Sequence, residues 1–164
     1  MRPTSDRARE AIFASLGAAV IDARVLDLFA GSGALGLEAL SRGASSCHFV
    51  ERNAEALEAL RTNLETLGES EHARVERGNA ITVLQRLADA GDQFELVLVD
   101  PPYDAVPDLA AMLTTLLPQV LTPTGSIVFE TAAGSAVPIP SLVERYNRRI
   151  AAAEIVILQR META

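Results

Sequence analysis

Four residues, Asp100-Pro101-Pro102-Tyr103, follow directly on the apolar run Phe94-Glu95-Leu96-Val97-Leu98-Val99. Their types suit the capture of a flat amino group. Such a group, on a base or an amide, is a weak nucleophile because its lone pair is delocalised. Two acceptors that hold its N–H bonds out of the plane would localise that pair. The Asp100 carboxylate can be one, and the Pro101 carbonyl the other, since the paired prolines keep the backbone extended. Tyr103 offers a face on which a base can stack, worth about 1–3 kcal/mol in single-stranded recognition. A base inside a duplex cannot reach such a pocket, so it must be unpaired or flipped out. A strand-ending turn is the plain alternative for these four residues.

A second group lies upstream, where Val25-Leu26-Asp27-Leu28-Phe29 runs into Ala30-Gly31-Ser32-Gly33-Ala34-Leu35-Gly36. Glycines after a strand let the backbone turn sharply and approach a ligand closely. The helix that follows presents unpaired N–H groups. Glu51 falls 20 residues after Gly31, where a carboxylate can clamp a ribose diol. The spacing also satisfies G-x-G-x-x-G, the dinucleotide pattern. Asp27 argues against that reading, because a phosphate would be repelled while an ammonium would give the buried acid a partner. The cofactor expected here is therefore S-adenosylmethionine, with S-adenosylhomocysteine as product. Asn79-Ala80 either meets an adenine edge, or Asn79 simply caps the next helix.

These groups need a scaffold that brings strand ends together. Strand-like and helix-like segments alternate along the chain, which predicts an α/β fold with one doubly wound, mostly parallel sheet of about seven strands. The pattern predicts strands over 25–29, 47–51, 73–77, 95–99 and 125–130, then two closing strands, 145–151 and 154–159, paired antiparallel. Helices are expected over 5–16 and 35–41, from Asn53 to Gly68, around 81–88, and from Pro107 to about 117. In that frame the glycine turn and Asp-Pro-Pro-Tyr sit at the C-terminal ends of neighbouring strands, where ligands bind.

The whole chain fits this picture. Its 164 residues suit a single domain over 1–164, large enough to bury roughly 70% of its unfolded surface. A net charge of −8 argues against wrapping nucleic acid by charge alone. One cysteine, Cys47, excludes an intramolecular disulfide, and with His48 and His72 it makes no metal-ligand spacing. Neither a signal peptide nor a membrane-length apolar run is present, so a cytoplasmic monomer without metal is expected.

The segments Arg2-Pro-Thr-Ser-Asp-Arg-Ala-Arg-Glu10, Val25 to Leu40 and Asp100-Pro-Pro-Tyr103 together resemble the bacterial 16S rRNA guanine-N2 methyltransferases. The resemblance implies a Rossmann-like class I methyltransferase fold whose last strand is antiparallel. It also implies a guanine of 16S rRNA, in the small ribosomal subunit, as substrate. By the same resemblance Asp27, Gly31, Ser32, Gly33 and Glu51 hold the cofactor, with Thr4 and Arg7 as candidates near its methionine end; Phe29, Arg52, Asn79 and Ala80 complete the expected set. The target amino group falls to Asp100, Pro101, Pro102 and Tyr103. An adenine N6, a protein glutamine, or a silent cofactor-binding module are the alternatives.

Two departures from the family stand out. Its members usually carry a basic β-hairpin ahead of the Arg-Pro-Thr segment, and this sequence starts at that segment. What remains for RNA contact is arginine, in Arg2, Arg7 and Arg9 and in Arg145, Arg148 and Arg149. A glycine is also usual between the last two strands, where this chain has Ala151-Ala152-Ala153. That second departure is expected to concern only a turn and to leave the cofactor site untouched.

Overall fold

The computed structural model describes residues 3–161, without the side chains of Pro3, Thr4, Ser5 and Tyr103. Helix α1 (Pro3–Leu16) leads into β1 (Arg24–Asp27), α2 (Ala34–Ser41), β2 (Ser46–Glu51), α3 (Ala54–Leu67) and β3 (Ala73–Arg77). There follow α4 (Ala80–Asp89), β4 (Phe94–Val99), α5 (Val106–Leu116), β5 (Leu121–Ala132), β6 (Leu142–Ile150) and β7 (Ala153–Arg160). The seven strands form one sheet in the order β3-β2-β1-β4-β5-β7-β6. The first five are parallel, and β7 runs antiparallel between β5 and β6. This is a doubly wound α/β sheet with an antiparallel last strand. The chain reverses direction across the sheet between β1 and β4, and a crevice opens there beyond the carboxyl ends of the strands.

The apolar runs become central strands because both faces are covered. On one face Ile12 and Phe13 of α1 and Leu57 and Leu60 of α3 pack with Val25, Phe49 and Leu98. On the other, Leu84 and Leu87 of α4 and Leu113 of α5 pack with Leu26, Val97 and Phe129. Helix α3 shows the local logic. Leu57, Leu60 and Leu64 fall on one buried face, Asn53 Oδ1 accepts the Ala56 N–H at 2.9 Å, and Gly68 ends the helix at φ 69°.

Three boundaries depart from the sequence reading. Strand β1 ends at Asp27, two residues before Phe29, because the chain there leaves the ladder to form the glycine turn. It stays clasped by its neighbours, with Leu28 N–H donating to the Leu98 carbonyl at 3.1 Å and Ala30 N–H to the Val50 carbonyl at 3.0 Å. Strand β5 starts four residues earlier than expected and spans 12 residues. Its polar Thr122–Gly125 stretch is an excursion, so the pairing with β4 jumps from Phe94–Leu121 to Leu96–Ser126. Strand β6 begins at Leu142 and bulges at Arg145, since Glu144 and Tyr146 face consecutive residues of β7.

Candidate functional site

A cleft of about 1180 Å³ lies beyond the C-terminal ends of β1, β2, β4 and β5. Its floor is the turn from Ala30 to Ala34. Gly31 and Gly33 take φ values of 57° and 93°, the left-handed region that side chains resist. Gly33 then caps α2, its carbonyl accepting the Leu37 N–H at 2.8 Å. Two neighbours pin the turn. Asn63 of α3 donates its amide to the Ser32 carbonyl at 3.1 Å, and Glu51 Oε1 accepts the Gly31 N–H at 2.9 Å. The other Glu51 oxygen accepts the Arg52 and Asn53 N–H groups at 2.9 and 2.8 Å. Glu51 therefore anchors the loop as well as facing the cleft.

Gly36 explains why the pattern carries a third glycine. It sits in α2 where the helix presses on β1 and β2. A Cβ there would run into the Phe49 ring, lie 2.8 Å from Cys47 Sγ and lie 2.9 Å from Asp27 Oδ2. Without that Cβ, the Gly36 N–H reaches Asp27 Oδ2 at 3.1 Å.

Asp27 is 1% exposed and borders the cleft. Burial raises its carboxyl to about 7, against the pull of the Gly36 hydrogen bond and with a push from the Glu51 charge. A cation beside it would relieve that penalty. The same strand-end position recurs around the cleft. Asp27 and Glu51 end β1 and β2, Asp100 follows β4, Glu130 lies two residues before the end of β5, and all four line it. A ring of carboxylates suits a positively charged ligand and disfavours a phosphate.

Of the residues marked in the sequence, Asp27, Phe29, Gly31, Ser32, Glu51, Arg52, Asn79, Ala80, Asp100, Pro101 and Pro102 share this cleft. Gly33 shapes the turn from beneath, against Leu60 and Leu37. The Thr4 and Tyr103 side chains and Arg2 lie outside the described residues. Asn79 caps α4, its Oδ1 accepting the Ile81 and Thr82 N–H groups at 3.0 and 3.2 Å, while the residue also borders the cleft. Arg7 does not line the cleft. It is exposed, and Arg9, about half a helical turn away, lines the cleft instead. Two residues apart on a helix means about 200° around its axis, so these arginines could not share a face. Arg9 bonds Asp6 at 3.1 Å and lies 3.5 Å from Glu38.

The turn at Ala151–Ala153 also departs from expectation, because all three alanines line the cleft. Ala151 holds φ 54°, a left-handed conformation that costs a non-glycine residue about 1–2 kcal/mol. Sequence reasoning passed over Glu130 and Asn63, and gave Arg9 to RNA contact rather than to the cleft. For Glu130 the signal was present: an acid directly after the apolar stretch Ile127-Val128-Phe129, as Asp100 follows Leu96 to Val99. Among the described residues, no cluster of three or more His, Cys, Asp or Glu could hold a metal, and no helix is long and apolar enough to cross a membrane.

A sheet of this order, with a glycine turn after β1 and acids closing the strands beside it, defines the class I, Rossmann-like methyltransferase fold. Residues 1–159 match the family described as Conserved hypothetical protein 95, and the chain belongs to that family. It is similar to YlbH of Bacillus subtilis (strain 168), 43% identical over 130 residues that cover 79% of this chain and 70% of that protein. It is 46% identical to Ribosomal RNA small subunit methyltransferase D of Escherichia coli (strain K12) over 103 residues, 63% of this chain. That match spans 50% of the E. coli protein, about half its length. Among solved structures, yhhF from Escherichia coli superposes with a TM-score of 0.83 at 33% identity, covering 99% of this chain and 89% of that one.

Proposed function

We propose that the chain is an S-adenosylmethionine-dependent N-methyltransferase acting on the N2 amino group of a guanine in small-subunit ribosomal RNA. One observation carries the reading: Asp100-Pro101-Pro102 opens into the same acid-ringed cleft as the glycine turn. The relative named for small-subunit rRNA methylation supplies the RNA class.

The residues present fit the cofactor. Buried Asp27 gains from an ammonium neighbour, Glu51 keeps acceptor capacity for a ribose diol, and Phe29 and Ala80 give apolar walls for a purine. When bound, S-adenosylmethionine supplies a methyl group on a positively charged sulfur. The chain's task is then to orient the nucleophile. The Asp100 carboxylate and the Pro101 carbonyl accept the two N–H bonds of the guanine amino group and turn its lone pair toward the cofactor pocket. As the nitrogen gains a fourth bond it sheds a proton, for which Asp100 is the adjacent acceptor. Orientation of this kind can supply roughly 7–11 kcal/mol of barrier reduction, so neither a metal nor a strong base is needed.

RNA contact falls to arginine. Arg145, Arg148 and Arg149 are exposed on β6, the edge strand that leads into the Ala151–Ala153 turn at the cleft. None of the three is ion-paired among the described residues. The reading places a monomer with the cytoplasmic small subunit.

The test is labelled methyl transfer from S-adenosylmethionine to small subunits lacking the modification, followed by nucleoside digestion. Label is expected in N2-methylguanosine and should vanish with Asp100→Ala while cofactor binding persists. Label in N6-methyladenosine, or in protein, would replace guanine as the target.

A further inference from the structure

We infer that Glu130 reads the base: its carboxylate accepts the N1–H of the target guanine while Asp100 and Pro101 hold the adjoining amino group. The inference rests on the N-methyltransferase reading of the cleft and deepens it.

The sheet sets the two acids side by side. β4 and β5 are parallel neighbours, and Val99 lies opposite Phe129. Asp100 and Glu130 are therefore the next residues on two chains roughly 4.8 Å apart. Both line the cleft and both are half-buried. Strand β5 supplies apolar side chains up to that point, with Ile127, Val128 and Phe129 no more than 1% exposed. The sheet's packing asks for another apolar residue at its next position and receives a carboxylate.

An ionised carboxylate can only accept hydrogen bonds. The guanine edge matches it, because N1–H stands next to the N2 amino group and presents a further donor. Adenine offers its amino group beside a bare N1 lone pair, which would face the Glu130 oxygens with no hydrogen between them. A glutamine amide places its carbonyl oxygen there instead. With the amino group held by Asp100 and Pro101, the neighbouring atom decides which substrate fits. A buried acceptor left without its donor corresponds to a discrimination of about 10- to 100-fold. Asp-Pro-Pro geometry alone recognises an amino group, and Glu130 adds the identity of the ring that bears it.

The experiment uses reconstituted small subunits carrying guanine or 2-aminopurine at the mapped target position. 2-Aminopurine keeps the 2-amino group and lacks the N1 hydrogen. The wild-type chain should prefer guanine by at least about 10-fold in kcat/KM. Glu130→Gln, whose amide can donate to the bare N1, should lose most of that preference and gain on 2-aminopurine relative to wild type. Its S-adenosylhomocysteine affinity, measured by calorimetry, should stay within about twofold of wild type. Glu130→Asp, which retains the acceptor, should keep the preference at a lower rate. A merely structural Glu130 would lower transfer to both bases alike, and an unchanged ratio in Glu130→Gln overturns the assignment. Absence of any transfer to guanine N2 by the wild-type chain would instead overturn the methyltransferase reading, and this inference with it.

Discussion

Asp27 couples the proposed cofactor site to pH. Its carboxyl stands near 7 in the folded chain, chiefly through burial, against an ordinary value of 3.8. A raised carboxyl pKa means that folding favours the protonated form. Its contribution to stability is therefore fully present below 3.8 and is lost as pH rises through about 7. The difference in unfolding free energy between wild type and Asp27→Asn should shift against wild type over that interval, as denaturant titrations at stepped pH would show. A cationic ligand acts in the opposite sense, since it favours the carboxylate. S-adenosylmethionine binding should therefore strengthen up to tenfold per pH unit below 7, with proton release. Calorimetry in buffers of different ionisation enthalpy checks this, and Asp27→Asn should bind weakly with no such slope. The residue was legible because an acid in the run Val25-Leu26-Asp27-Leu28 has no cheap explanation. Arg9 was not, because telling it from Arg7 requires the rotation of α1 against the sheet, which sequence periodicity leaves open over so short a charged stretch.

Elements were legible where packing is local and periodic. The Leu57, Leu60 and Leu64 stripe and the bounding Asn53 and Gly68 define α3 without help from the rest of the chain. Strand β5 was read short because Thr122-Pro123-Thr124-Gly125 is polar, whereas its edges pair through long-range contacts invisible in that stretch. The β6–β7 connection was the element most underrated. It appears in sequence as a turn and in the fold as a wall of the cleft, with Ala151 held at φ 54°. Relief of that conformation outweighs the added chain entropy, so Ala151→Gly should stabilise the protein by up to about 1 kcal/mol. Thermal unfolding checks this, and a lower melting temperature would show that Ala151 Cβ makes a contact the strain does not outweigh.

Across the whole molecule, a net charge of −8 and an acid-lined cleft make the exposed arginines of β6 a small basic margin on an acidic protein. Binding to the small subunit should therefore depend on few phosphate contacts. Replacing Arg145, Arg148 and Arg149 together with alanine should flatten the slope of log affinity against log salt by about 2–3. Turnover at saturating substrate should change little, because none of the three lines the cleft. An unaltered salt slope would move the RNA contact elsewhere. The order of the last strands has a further consequence, for synthesis. Strand β6 is made before β7 yet touches the sheet only through it, because β7 lies between β5 and β6. Once residues up to 150 have emerged, β3, β2, β1, β4 and β5 can assemble, but β6 must wait, without a strand partner, until residues 153–160 leave the ribosome. The turn that walls the cleft closes only at that moment, so each molecule of this family would be completed beside the machine whose RNA it is proposed to modify.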